Sequence, residues 1–255
     1  MTDLSSPPPP KAGLSSPPPP KAGLLTPEAF VRELDEQNRQ ALDRIAAAGK
    51  KTCDGGPCAR EDAKKEGLAA PSVADLLKLA LKNELEATEC AAAWIPTTSD
   101  VDVKLALARQ AGDEAKHYRL IQKRLGELGI DTAQHDPLAQ GRSPLLQFLL
   151  GLEGTVARVA AGQFTREALA VVKNTEFVLF CEEQEDHRTA ALYKGTIQPD
   201  EEHHHELGRT LLLKLATTLD AQEAARAASR RTLELAEELQ EIARLRAGIT
   251  RAPGC

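Results

Sequence analysis

Two segments of the chain share the form Asp-Glu-x-x-His, and they span Asp113–His117 and Asp200–His204. A chain of this length and composition is expected to contain roughly 0.03 such segments by chance, so the repetition is informative. On an α-helix, residues three positions apart lie on one face, so the Glu and the His of each segment can bind the same metal ion. The repeat predicts two helices that face each other across a site of carboxylates and imidazoles.

The composition favours a soluble, helical chain. Aromatic residues make up only 3% of it, while Ala, Leu, Glu and Arg are abundant and runs of β-branched residues are scarce. The net charge of −6 and the few aromatic rings disfavour a nucleic-acid-binding protein. No apolar run approaches the roughly 20 residues of a membrane-spanning helix, and the first residues lack the pattern of a signal peptide. We therefore expect a cytoplasmic protein that does not enter a membrane.

Five cysteines, an odd number, indicate reduced thiols rather than a disulfide framework in such a chain. Cys53 and Cys58 flank the sequence Asp-Gly-Gly-Pro in a segment rich in glycine and lysine. We interpret this segment as a loop that carries two thiols. A redox pair or half of a metal site is the alternative.

The N-terminal segment contains a tandem repeat, because residues 4–13 and 14–23 both read LSSPPPPKAG. Four consecutive prolines favour an extended polyproline II conformation and bury no apolar side chains. We expect residues 1–24 to form a disordered tail outside the fold. Such a tail can bind a partner that has a proline-recognition groove.

Prolines, capping residues and glycines divide the remaining chain into helices. Thr26-Pro27-Glu28 predicts the start of a helix that ends near Ala48 and buries Phe30, Leu34, Leu42 and Ile45. Further helices are predicted over residues 71–95, 100–128, 144–185 with an interruption at Gly162, 188–216 and 220–247. The predicted organisation is a tail (1–24), an N-terminal helix with the Cys/Gly loop (25–70), a four-helix bundle (71–219), and a C-terminal helix and tail (220–255).

Over residues 72–216 the chain resembles the ferritin-like superfamily, with helices similar to those of bacterioferritin and rubrerythrin. Asn83–Ala87 is similar to the first ligand helix of that superfamily, whose Glu after Asn corresponds to Glu84. Asp113–His117, followed by Ile121, Arg124 and Leu125, resembles the second helix. The resemblance implies an all-α, ferritin-like four-helix bundle with additional N- and C-terminal helices. It also implies two iron ions, or a manganese and an iron ion, bound by Glu84, Glu114, His117, Glu201, His204 and one Glu of the third helix.

The third-helix ligand has three candidates, Glu153, Glu167 and Glu176. The third and fourth helices are expected to be antiparallel about a turn near Asp186, and the ligands of the fourth helix lie 15 to 18 residues past it. Glu167 lies 19 residues before the turn and fits this spacing best.

Several neighbours of the motif residues also have two interpretations. A register shifted by one residue would use Glu202 and His205 instead of Glu201 and His204. We expect Asp113 and Asp200 to orient the ligand histidines, and Glu86 and Glu89 to lie on solvated helix faces. Tyr193 is either a core residue or a group that faces the site.

The resemblance implies an oxidoreductase that activates dioxygen or peroxide to oxidise or hydroxylate a substrate. An external protein would then supply the electrons. Met1 is the only methionine, so a haem-ligating methionine of the bacterioferritin kind is absent, and so are the two Cys pairs of a rubredoxin module. A non-enzymatic iron- or manganese-handling protein and a tRNA-modifying hydroxylase are the alternatives. The sequence is also compatible with a homodimer.

Overall fold

The computed structural model describes residues 23–50 and 71–254. Every regular element in these ranges is helical, so the prediction of an all-α fold is confirmed there. The elements in chain order are α1 Pro27–Lys50, α2 Val73–Trp94, α3 Val101–Glu127, α4 Pro144–Leu150, α5 Thr155–Val159, the π-helical segment π1 Ala160–Arg166, α6 Glu167–Glu183, α7 His187–Leu192, the π-helical segment π2 Tyr193–Ile197, α8 Gln198–Leu215 and α9 Leu219–Ala247. None of these helices is long and apolar enough to cross a membrane. The proline repeat, save its last residue, and the segment with Cys53 and Cys58 lie outside the described residues.

The helix ends follow the capping residues of the sequence. The Ser72 side chain accepts a hydrogen bond from the backbone N–H of Asp75, whose carboxylate accepts one in return from the Ser72 N–H, which makes a capping box. Asp100 caps α3 with its side chain only, which accepts a hydrogen bond from the Val103 N–H at 3.1 Å. At the C-terminus of α9, Gly248 adopts a left-handed conformation with φ 63°, which favours glycine. The predicted boundaries of these helices are confirmed within two residues.

The helix predicted over residues 144–185, with an interruption at Gly162, is wrong about where the interruption lies. The chain breaks between α4 and α5, at residues 151–154, where Gly154 has φ 82°. Gly162 does not interrupt the helix and instead lies within π1. A Cβ added at Gly162 would lie 2.7 Å from the Trp94 ring, so this glycine is needed for close packing rather than for a turn.

Two apolar clusters lie at opposite ends of the longer helices. The first includes Phe30, Trp94, Leu107, Phe164 and Leu212. The second includes Leu77, Leu81, Ile121, Phe177 and Tyr193. Along α3, Leu107 belongs to the first cluster and Ile121 to the second, and the predicted ligands Glu114 and His117 lie between them. A polar layer therefore crosses the middle of the molecule between two apolar layers.

Helices α1 and α9 pack around π1 and α6. The α1 side chains that the sequence predicts to be inward, Phe30, Leu34, Leu42 and Ile45, are all buried. A buried hydrogen-bonded network also fixes α1, since Asn38 Nδ2 donates to Thr165 Oγ1 at 2.9 Å and Ser229 Oγ donates to Asn38 Oδ1 at 2.7 Å. The network ties α1 and α9 to π1, directly before Glu167 in the chain.

The long connection between α3 and α4 is anchored by a residue that the sequence analysis misplaces. Glu86 is only 5% exposed and is not on a solvated face. Its carboxylate accepts hydrogen bonds from the Ser143 N–H at 2.7 Å and from the Ser143 hydroxyl at 2.5 Å. Glu89 keeps a partly exposed position, where it pairs with Arg142 at 3.2 Å. The buried Glu86 carboxylate thus holds the N-terminus of α4 against α2.

Candidate metal centre

The six predicted ligand residues lie together in the polar layer. They form two overlapping groups, one of Glu84, Glu114, His117 and Glu201, and the other of Glu114, Glu167, Glu201 and His204. Within each group, one ligand atom from every residue lies within 4.8 Å of the others. Glu114 and Glu201 belong to both groups, so either carboxylate can bridge two ions. None of the six side chains is more than 1% exposed.

Four helices supply these side chains, and the local helix geometry aims them. Glu84 comes from α2, and Glu167 is the first residue of α6. On α3, His117 Nδ1 lies 3.2 Å from Glu114 Oε2, and on α8, His204 Nδ1 lies 3.2 Å from Glu201 Oε2. In both helices the spacing of three residues places the pair on one face, so the Nδ1 atom of each imidazole faces the carboxylates.

The aspartate of each motif contacts the histidine of the other motif. His117 Nε2 lies 3.0 Å from Asp200 Oδ2, and His204 Nε2 lies 3.1 Å from Asp113 Oδ2. Each aspartate therefore orients the histidine of the opposite helix, not that of its own motif. A carboxylate at Nε2 favours a proton on that nitrogen, which leaves the Nδ1 lone pair free for a metal ion. Asp200 is itself held by Lys116 Nζ at 2.6 Å.

Without a metal ion, the full ionisation of the four buried carboxylates is unfavourable. Burial raises the pKa of Glu84 to about 7, and burial together with neighbouring carboxylates raises the pKa of Glu167 and of Glu201 well above the usual value. Burial also acts on Glu114, but the hydrogen bond from His117 and nearby positive charges lower its pKa to about 2. Burial disfavours the imidazolium of His117, yet its hydrogen bond to Glu114 and the nearby Glu84 carboxylate, 3.4 Å from Nδ1, raise its pKa to about 12. Bound cations would offset the carboxylate charge that these raised pKa values reflect.

The carboxylate oxygens themselves fit a pair of cations. Glu84 Oε1, Glu167 Oε2 and Glu201 Oε1 are buried and have no hydrogen-bond donor. Buried acceptors without a donor are costly in a protein, and a metal ion compensates for them directly. Carboxylate oxygens combined with imidazole nitrogens suit iron or manganese. The residues present therefore fit the two metal ions that the sequence resemblance implies.

The residues that the sequence offers as alternative ligands belong to neither of the two metal-binding groups. Glu153 is exposed, and Glu176 is buried but does not share a group with the other carboxylates. Glu202 is also exposed. His205 Nδ1 instead donates to the backbone carbonyl of Phe164 at 2.6 Å. The geometry places Glu167, Glu201 and His204 in the cluster, as the preferred register predicts.

Sequence reasoning missed one side chain that touches the cluster. Gln110 is buried, and its Nε2 donates to Glu167 Oε1 at 2.6 Å and to Glu114 Oε1 at 3.4 Å. Its position four residues before Glu114, on the same face of α3, is a signal that could have identified it. Tyr193, in contrast, lies in the second apolar cluster with its ring edge-on to Phe177 at 4.8 Å.

The chain matches no protein-family model, and no curated protein or solved structure is detectably similar to it. The all-helical fold and the two buried groups of Glu and His side chains, which can hold metal ions, are therefore established by the structure alone. The ligand geometry is the observation on which any function must be based.

Proposed function

We propose that the protein is a ferritin-like carboxylate protein with two metal ions, and that it is an oxidoreductase. The single observation that carries this proposal is that Glu114 and Glu201 belong to both metal-binding groups. Two shared carboxylates hold two cations close together, whereas two independent sites would need no shared ligand. In this proposal α2, α3, the continuous segment from α5 through α6, and α8 form the four-helix bundle, and α1 and α9 are the additional helices.

Each metal ion would have its own terminal ligands. Glu84 and His117 would bind the first ion, and Glu167 and His204 would bind the second. The bridging ligands would be Glu114 and Glu201. A bound pair of iron ions, or of manganese and iron, supplies electrons to dioxygen or peroxide for the oxidation or hydroxylation of a substrate.

The protein's own residues perform the surrounding tasks. Asp113 and Asp200 hold the Nε2 protons of the two histidines, so that each Nδ1 keeps its lone pair at the cluster. The two apolar clusters exclude water from both ends of the polar layer. Repeated turnover needs electrons from outside, so the proposal includes a separate electron-donor protein.

Metal analysis and oxygen consumption test this proposal together. Anaerobic loading with Fe(II) should give two ions per chain, and His117→Ala and His204→Ala should each lose metal. On exposure to air with an added reductant, an oxidase or oxygenase should consume oxygen repeatedly. A metal-handling protein, the alternative, would consume oxygen only in proportion to the Fe(II) supplied. Wild-type metal content in both histidine variants would refute the ligand assignment.

A further inference from the structure

One buried polar side chain beside the proposed metal site has no function so far. Gln163 lies in π1 and is 0% exposed, yet neither its Nε2 nor its Oε1 has a hydrogen-bond partner. A primary amide has two donors and two acceptors, and native structures rarely leave all of them unused in the interior. Gln222, an equally buried glutamine, shows the usual situation, since it bonds to the backbone of Leu25 and Ala216.

The surroundings of Gln163 place it one helical turn from the second metal group. It precedes Glu167 by four residues in a continuous helix, so the two side chains lie on nearly the same face. Its backbone lies against α8 at Gly208, because a Cβ added there would be 2.7 Å from the Gln163 carbonyl carbon. Gly208 follows the ligand His204 by one turn. The spacing to Glu167 and the packing against Gly208 therefore place Gln163 at one level of the molecule, one turn from both Glu167 and His204.

A second amide occupies the same level. Gln110 precedes Glu114 by one turn and donates to Glu167 Oε1. Gln110 is thus engaged with the ligands, whereas Gln163 is not. The π1 geometry is consistent with a specific role for Gln163, since π-helical segments occur frequently at functional sites.

From these contacts we infer that Gln163 is the hydrogen-bonding residue of a ligand subsite next to the second metal group. The inference rests on the proposed two-metal function. An amide satisfies its donor and its acceptor at once when the ligand presents an acceptor and a donor side by side. Primary amides and hydroxamic acids have this arrangement, whereas an ionised carboxylate has acceptors only. The subsite would therefore take the amide or hydroxamate group of a small substrate, with Nε2 donating to its oxygen and Oε1 accepting its N–H.

Two small probes test this pairing on the ferric, metal-loaded protein. Acetohydroxamic acid has an N–H that can donate to Gln163 Oε1, and N-methylacetohydroxamic acid lacks it. Their binding is measured by titration of the ferric hydroxamate absorption band. The wild-type protein should prefer the N–H probe by about tenfold, which corresponds to the loss of one well-formed hydrogen bond in a buried site. In Gln163→Leu the preference should disappear while two metal ions per chain remain bound.

A second readout does not depend on the metal. Leucine has a similar size to glutamine but no polar atoms, so Gln163→Leu should raise the melting temperature of the metal-free protein by a few degrees. The matched control is Gln222→Leu, which removes three existing hydrogen bonds and should lower the melting temperature.

The outcomes are separable. Wild-type protein that binds no metal would overturn both the proposed function and the subsite. Two bound ions with an unchanged probe preference in Gln163→Leu would overturn the subsite alone. A fall in the melting temperature of metal-free Gln163→Leu, similar to that of Gln222→Leu, would show that Gln163 is a structural residue and would also overturn the inference.

Discussion

Replacing Glu167 with glutamine should have opposite effects on the metal-free and metal-loaded protein. Glu167 is fully buried, and Gln110 donates to its Oε1 at 2.6 Å. Its other oxygen has no donor. Glutamine has the shape of a protonated glutamate and keeps an acceptor for Gln110, but it cannot carry the negative charge of a metal ligand. Glu167→Gln therefore removes charge with little change in packing.

The size of the effect follows from the charges in the cluster. Burial and the neighbouring carboxylates raise the pKa of Glu167, and each unit of that rise costs the folded metal-free protein about 1.4 kcal/mol at a pH above the shifted value. Two carboxylates within 4.8 Å repel each other by about 3.5 kcal/mol at an effective dielectric constant of 20, which is an upper limit because protonation relieves the repulsion. We expect the metal-free variant to gain about 2 kcal/mol, or roughly 4–8 °C in melting temperature.

With metal, the same change should be unfavourable. In the proposed ligand assignment the variant lacks a terminal ligand of the second ion, so it should bind one ion per chain instead of two. An ion at a hundredfold excess over its dissociation constant stabilises the folded state by about 2.7 kcal/mol. The variant should lose about that amount of metal-dependent stabilisation. Melting curves with and without Fe(II), together with metal analysis, measure both effects.

The matched control is Glu176→Gln, which lies on the same helix and is also buried but belongs to neither metal group. This variant should keep two metal ions and should not show the crossed pattern, that is, a gain in stability without metal together with a loss with metal. If Glu167→Gln still binds two ions, or if Glu176→Gln shows the crossed pattern instead, the assignment of Glu167 as a metal ligand is refuted.

Three further predictions concern neighbouring features. Asp200→Asn should weaken metal binding at the His117 site by roughly 10- to 100-fold, as seen by competition with a chelator, because Asp200 orients the histidine of the opposite helix; an effect confined to the His204 site would contradict this contact. Gly208→Ala should destabilise the protein by about 1–3 kcal/mol and reduce metal content, since the new Cβ would lie 2.7 Å from the Gln163 backbone; unchanged denaturation would refute this. Between pH 4.5 and 7 the metal-free protein should lose stability as the pH rises. Glu84, whose pKa is about 7 when folded, keeps a proton that the unfolded chain has already released, and this difference contributes about 3 kcal/mol; the raised pKa values of Glu167 and Glu201 act in the same direction, and so does the rise of the His117 pKa to about 12 above pH 6.5. Urea denaturation across this range measures it, and a rise in stability with pH would contradict the reasoning.

Local patterns were enough to predict those features that one helix determines by itself. The pairing of Glu114 with His117 follows from a spacing of three residues, and Pro71-Ser72 predicts the start of α2, which Ser72 caps. One prediction needed two helices: if they are antiparallel about a turn near Asp186, the constant rise per residue of a helix favours Glu167 over Glu176. These properties depend on backbone geometry that is the same in every helix.

The tertiary structure decided which residues of different helices meet. Nothing in either motif shows that Asp200 holds His117, since this contact depends on how α3 and α8 are rotated and shifted against each other. Close packing against other elements helps to fix the position of α8, as in the contact of Gly208 with the Gln163 backbone of π1. The burial of Glu86 likewise depends on a partner, Ser143, that lies far away in the sequence. Helical periodicity assigns a residue to a face, but only the packed neighbours determine what that face touches.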